Sequence, residues 1–154
     1  MIGREGLAGF PLAALNLPST HTALVMLRGE ALRLKTDALL AEFERNTPLQ
    51  RAMLHHWQTL MSEMAQGSAC HRFHLTRQRL ARWLLDASDR IQSSRIDITQ
   101  ERLASALGIQ RTGVTAASVS LQDAAAIKSR HGRVTVLERG RLRELACDCY
   151  QPRE

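Results

Sequence analysis

The most reactive side chains in this chain are three cysteines and six histidines. Cys70, Cys147 and Cys149 are too few and too oddly placed for a disulfide framework, and neither C-x-x-C nor Cys/His finger spacing occurs. They read as reduced thiols in a cytoplasm. The C-x-C of Cys147 and Cys149 could join Cys70 in a metal or cluster site, but a tetrahedral site usually needs four ligands at better defined spacing. His55 and His56 are adjacent on a helix and diverge. His71 and His74 could share a face, yet no carboxylate or cysteine is placed to complete a site, so no metal is expected. Asp86, Asp89, Asp97 and Asp148 read as caps or solvated residues. Without a Ser/His/Asp set, paired carboxylates or a P-loop, an enzyme is not expected.

A different chemistry is open to Gln110, Arg111, Thr112 and Thr115, whose donors and acceptors suit the edges of base pairs. They lie in "ITQERLASALGIQRTGVTAASV", Ile98 to Val119. Thr99 can cap a helix whose first turn holds Gln100 and Glu101, with the acidic residue at the positive helix end. Leu103 and Leu107 lie one turn apart, and Ala104 is small enough for a second helix to cross closely. Gly108 is the residue expected just past a helix end, where positive φ is cheap only without a side chain. Ile109 re-enters the core, and Val114 and Ala117 form the inner stripe of the second helix. The pattern is helix, tight glycine turn, helix, which holds the second helix so that its outer face can enter a major groove. That face offers Gln110, Arg111, Thr112, Thr115 and Ser118.

"AIKSRHGRVTVLERG" reads as a hairpin, with Ile127 on one strand, Arg130-His131-Gly132 in the turn and Val134 to Leu137 on the return. Lys128, Arg130 and Arg133 put positive charge on it. The charge of the whole chain agrees: residues 1–70 carry six Lys+Arg and six Asp+Glu, whereas residues 71–154 carry fifteen and nine, so the net +6 lies in the second part. Such a basic half points to a polyanion, either nucleic acid or an anionic membrane surface.

The remaining elements must position these residues. At 154 residues the chain suffices for one ordinary domain, or for two small ones that lean on a partner. A composition of 44% hydrophobic and 23% charged residues excludes disordered and collagen-like classes. The opening residues have an early Arg and a modest apolar run, but Glu5, Gly9 and Pro11 interrupt it and no A-x-A site follows, so secretion is not expected. No apolar stretch approaches the ~20 residues of a membrane span. Residues 1–40 read as strands and turns, with "HTALVML" and "EALRLK" as β-type runs around Arg28-Gly29. Thr47-Pro48 then starts a long helix. Along it Met53, Trp57, Leu60, Met64, Gly67 and His71 alternate spacings of four and three, a seam of coiled-coil type that suits a like partner. "TRQRLARWLLDASDR" gives a further amphipathic helix, with Leu80, Trp83, Leu84 and Ala87 inward and Arg77, Arg79, Arg82 and Arg90 outward.

Together "ITQERLASALGIQRTGVTAAS", the "AIKSRHGRVTVL" wing and the preceding "RLARWLL" make residues 71–154 resemble the winged helix-turn-helix of the CRP/FNR superfamily of bacterial transcription regulators. Upstream, "REGLAGFPLA", "STHTALV" and "RGEALRL" resemble the closing strands of that family's cyclic-nucleotide-binding β-roll. The resemblance implies an α+β fold: residues 1–47 an incomplete β-roll segment, 48–74 a dimerisation helix and 75–154 the winged helix-turn-helix. It also implies that Met1 begins inside a domain whose front half is absent. In nucleotide-binding members a Glu meets the ribose and an Arg before Ser/Thr-Ala neutralises the phosphate. Here Glu5 stands at the first position, but His21 precedes Thr22-Ala23, and a neutral imidazole is a poor substitute for a bidentate clamp. No cofactor is expected.

The expected function is that of a sequence-specific DNA-binding regulator, acting as a cytoplasmic homodimer on an inverted repeat. Gln110, Arg111, Thr112 and Thr115 would read bases, Thr99, Ser118, Lys128, Arg130 and Arg133 would hold phosphates, and Met53, Trp57, Leu60, Met64 and Gly67 would form the dimer seam. Arg111 would differ from its family counterparts in company, with Thr112, Thr115 and Ala116 where the best known members carry Glu and a second Arg. Partners would be double-stranded DNA, a second copy and, further, RNA polymerase, with no membrane. The alternative is a truncated regulatory partner that heterodimerises with a full-length relative and modulates its DNA binding.

Overall fold

The structure is a computed structural model that describes residues 1–4, 6–9, 17–19 and 22–152. Its elements in chain order are α1 (Thr36–Arg45), α2 (Thr47–Phe73), α3 (Thr76–Ile91), β1 (Arg95–Asp97), α4 (Gln100–Leu107), α5 (Arg111–Asp123), β2 (Ile127–Arg130), β3 (Arg133–Val136) and α6 (Arg139–Leu145). The fold is α+β. The chain divides into two compact units, Met1–Gly67 and Ser68–Glu154, with the division inside α2.

In the first unit the expected strands are not formed among the described residues. Residues 22–35 hold no regular structure, and the α1 helix follows directly. The reason is physical: alternating apolar residues make a strand only when a neighbouring strand takes up their N–H and C=O groups, and one or two runs do not make a stable sheet. Leu24, Val25, Leu32 and Leu34 are accordingly exposed. The start of α2 is closed by Asn46, whose Oδ1 accepts from the Leu49 N–H at 3.0 Å. Thr47 is the first helical residue rather than the cap, and Pro48 follows where a missing N–H costs nothing. Along the seam Met53 is buried, Trp57, Leu60 and Gly67 are half-buried, and Met64 is exposed.

The second unit is built around α3, which packs on α5, α6 and β1. Leu80, Leu84 and Leu85 of α3 meet a core that includes Leu103, Val114, Leu121 and Leu142, all fully buried. Trp83 is only half-buried. Of the four arginines expected to face outward on α3, Arg77 does so, whereas Arg79 is buried and sends its guanidinium to the Leu107 carbonyl. Arg82 and Arg90 lie along α3 beside Asp86, at 3.6 and 3.9 Å, with side chains only 17% and 4% exposed. Periodicity gives a helix face but not the height of its neighbours, and long guanidinium stems lie down wherever an acceptor is within reach.

β1, β3 and β2 form an antiparallel sheet in that order. Ile96 pairs with Val134, and Arg130 pairs with Arg133. The two residues between, His131 and Gly132, have φ of 49° and 73°. Positive φ at both central residues is the pattern of a type I′ turn, whose twist matches the strands it joins. The hairpin expected from the sequence is thus present, with a two-residue turn and with β1 as an additional edge strand.

Candidate nucleic-acid interface

The helix pair begins at Thr99, which is extended and whose Oγ1 accepts from the Arg102 N–H at 3.3 Å. Its first helix, α4, ends at Gly108, with φ 62°. The Ile109 N–H reaches the Ala104 carbonyl at 3.1 Å and the Gly108 N–H reaches that of Ser105 at 3.3 Å, the paired bonds of a Schellman closure. Leu103, Ala104 and Leu107 are buried on α4, as are Val114, Ala117 and Leu121 on α5. The inner stripes are those expected.

The outer face of α5 presents Arg111, Thr112, Thr115, Ala116 and Val119 to solvent, with Gln110 exposed just before it. Ser118 is not part of this face. At 2% exposure it lies on the buried side, which removes it from the phosphate-holding group. It falls seven residues after Arg111, yet four after Val114 and three before Leu121, so it belongs with the latter stripe.

Two contacts on this face were not foreseen. Arg111 Nη1 lies 2.8 Å from Glu101 Oε1, and the Thr115 hydroxyl is 2.9 Å from Gln100 Oε1. Gln100 and Glu101, read from the sequence as first-turn residues of α4, therefore also brace the start of α5. The Arg111–Glu101 pair is two-thirds exposed on both sides, so its own stabilisation is at most about 1 kcal/mol. It orients the guanidinium without locking it.

The wing adds Lys128, Arg130 and Arg133, all exposed. Arg133 Nε donates to Asp97 Oδ1 at 2.7 Å, and this bond holds the Asp97 carboxyl below the usual carboxylate range. Asp97 thus takes part of the charge of Arg133 and ties β3 to the edge strand. Thr99 lies beside the wing turn, where a Cβ on Gly132 would sit 3.7 Å from Thr99 Cγ2. Its hydroxyl is engaged as the cap expected from the sequence. Glu5 and His21, the two positions compared with a nucleotide site, lie outside the described residues.

Cysteine and histidine side chains also meet in the second unit. Cys70, His74, Cys147 and Cys149 place their donor atoms within 4.8 Å of one another. Burial, first, and the neighbouring Cys70 push the Cys147 thiol up to about 12. The sequence expectation stopped at three cysteines; the fourth donor is His74, four residues after Cys70 and so on the same helical face.

A helix pair closed by a Schellman turn and followed by a two-residue β-wing, with α5 polar outward, is a winged helix-turn-helix domain. Residues 78–145 match the Crp-like helix-turn-helix domain. The second unit therefore carries a Crp-like helix-turn-helix domain. No curated protein matches the chain. Among solved structures, a CRP-family transcriptional regulator from Thermus thermophilus is similar at 19% identity and TM-score 0.60, over 70% of this chain and 58% of that one. A second Thermus thermophilus regulator, of the CRP/FNR family, gives 23% identity and TM-score 0.61 over 66% of this chain and 55% of that one. A crp/fnr-family regulator from Eubacterium rectale gives 21% and 0.56, over 71% and 51%. At these identities the likeness is one of fold, and the chain spans little more than half the length of the regulators it matches. Among the described residues no helix is long and apolar enough to cross a membrane.

Proposed function

We propose that this chain is a sequence-specific DNA-binding transcription regulator that engages an inverted-repeat operator as a homodimer. The observation that carries this reading is the outer face of α5, where Arg111, Thr112 and Thr115 stand exposed on a helix held from behind by α4 and α3. Arg111 would make the bidentate contact with guanine, worth about 1 to 3 kcal/mol of discrimination. Gln110, Thr112 and Thr115 would assist it, and the exposed methyl groups of Ala116 and Val119 suit thymine methyls. Lys128 and Arg130 would hold phosphates, with Arg133 shared between phosphate and Asp97, and Thr99 would fix the wing beside the helix pair. Such contacts set register without reading sequence.

Dimerisation would use the seam of α2. Trp57, Leu60, Met64 and Gly67 are the residues that keep surface for a partner, whereas Met53 is already buried. A two-fold dimer would set two copies of α5 about 34 Å apart, facing half-sites one helical turn apart.

The test is selection of bound duplexes from a random pool near physiological salt, since affinity without stated salt has no meaning for a basic binder. An inverted repeat is expected. Arg111→Ala should relax preference at one position in each half-site, and Arg130→Ala should weaken binding to all sequences while flattening its salt dependence. If the folded protein enriches no sequence, or Arg111→Ala keeps the wild-type preference, the reading fails.

A further inference from the structure

We propose that Cys70, His74, Cys147 and Cys149 form a Cys3His site for a zinc ion. The four donors come from two places far apart in sequence: the last turn of α2 and the residues just after α6. The His74 N–H bonds to the Cys70 carbonyl at 3.2 Å, so the helical turn carries through His74 and brings both side chains to one side.

The edges of the cluster have the lengths a tetrahedron needs. Cys70 Sγ lies 3.5 Å from Cys147 Sγ, and Cys149 Sγ lies 3.5 Å from His74 Nδ1. With Zn–S near 2.3 Å and Zn–N near 2.0 Å, ligand-to-ligand edges should be about 3.5 to 3.8 Å. The longest donor separation, within 4.8 Å, asks for about 1 Å of closure on an ion. A disulfide between Cys70 and Cys147 would use two of the groups and leave the convergence of the other two without a purpose.

The surroundings complete the argument. His74 turns Nδ1 to the thiols while Nε2 lies 3.2 Å from Asp148 Oδ1. A proton held on Nε2 by that carboxylate leaves Nδ1 as a lone-pair donor, the carboxylate–histidine arrangement that orients metal-bound imidazoles. Binding would form three Zn–S bonds and one Zn–N bond and release three thiol protons to solvent, leaving a site of net charge −1. The Arg82 guanidinium, which reaches Cys70, is placed to offset it. The segment is also held from below: the Tyr150 hydroxyl donates to Asp89 Oδ2 at 2.7 Å and accepts from Arg139 at 2.7 Å. The Tyr150 N–H closes a turn on the Cys147 carbonyl at 3.1 Å. The ion would staple this segment to the end of α2.

The experiment takes the full chain, reduced and freed of metal, and titrates it with Zn(II) against a chromophoric chelator, with Co(II) as spectroscopic probe. One equivalent should bind, Co(II) should show the intense d–d bands of tetrahedral thiolate coordination, and zinc should raise the melting temperature. Cys149→Ser, at a partly exposed position that the core does not need, should lower zinc affinity by at least about 100-fold, and Asp148→Asn by about 10-fold. The proposal is overturned if the folded, reduced chain binds less than one equivalent, if Co(II) is octahedral, if Cys149→Ser binds zinc as wild type does, or if the purified chain holds a Cys70–Cys147 disulfide and takes up no metal after reduction. None of these readouts involves DNA, so this site and the operator reading stand or fall separately.

Discussion

The two units of this chain treat their apolar residues in opposite ways. In Ser68–Glu154 the leucines, isoleucines and valines of α3, α4, α5 and the sheet, Ile91 and Val119 apart, close on one another, and α3 is buried along one whole side. Among the described residues of Met1–Gly67, Met53 is the one buried apolar side chain, while Leu24, Val25, Leu32, Leu34, Leu54 and Met64 stand exposed. Both regions carry apolar patterns in sequence. What separates them is whether a second element lies across the pattern, because burial of apolar area, rather than the pattern itself, supplies the driving force.

The largest expected effect that would break this comparison is in the cores. Leu84→Ala, at a fully buried site, should cost about 2 to 5 kcal/mol in chemical denaturation, whereas Leu32→Ala, fully exposed, should stay within about 0.5 kcal/mol. Equal losses would show that the first unit closes a core of its own. Next come the glycines. Gly108→Ala forces a side chain into a left-handed conformation and should cost about 1 to 2 kcal/mol by the same assay, although its Cβ would meet only the His71 ring at an ordinary 3.6 Å. Gly29→Ala, with open space around it, should be nearly neutral.

Helix caps give a smaller contrast. Thr99→Ala removes the acceptor of the Arg102 N–H and should cost about 1 kcal/mol. Lys35→Ala at the start of α1 should change little, since Lys35 makes no side-chain cap bond. The smallest effect is electrostatic. The Arg133 bond holds the folded Asp97 carboxyl below its unfolded range, so its contribution is complete above the unfolded value near 4 and is lost as pH falls through the lower folded one. Because the Asp97 side chain is two-thirds exposed, acid should loosen the edge-strand contact of the wing without unfolding the unit. Amide exchange of β1 and β3 between pH 6 and 3 would show it, and Asp97→Asn should abolish the pH dependence.

The helix pair was legible because each of its signals is local. Thr99, Glu101, Gly108 and the Leu103–Leu107 spacing act within one or two turns, and His131-Gly132 sets its own turn. Other helix ends show how easily such signals go unseen. Gln92 and Ala125 also adopt positive φ, at 51° and 53°, and close α3 and α5 as Gly108 closes α4. Neither residue type announces that conformation, because packing imposes it against a modest steric cost. β1 was missed since three residues carry too little alternation to read, and its partner lies nearly forty residues on.

By itself, then, the sequence determined the elements whose causes lie within a few residues: the caps, the glycine turn, the inner stripes of α4 and α5, the wing and the excess of positive charge in the second part. Only the tertiary structure decided what depends on distant chain segments meeting. It drew Arg79 and Ser118 inward, paired Arg111 with Glu101 and Arg133 with Asp97, left residues 22–35 without strands, and brought Cys70 and His74 to Cys147 and Cys149. The physical reason is the same in each case: periodicity and propensity act through covalent neighbours, whereas burial, ion pairing and ligand geometry depend on atoms that the chain brings together only when it closes on itself.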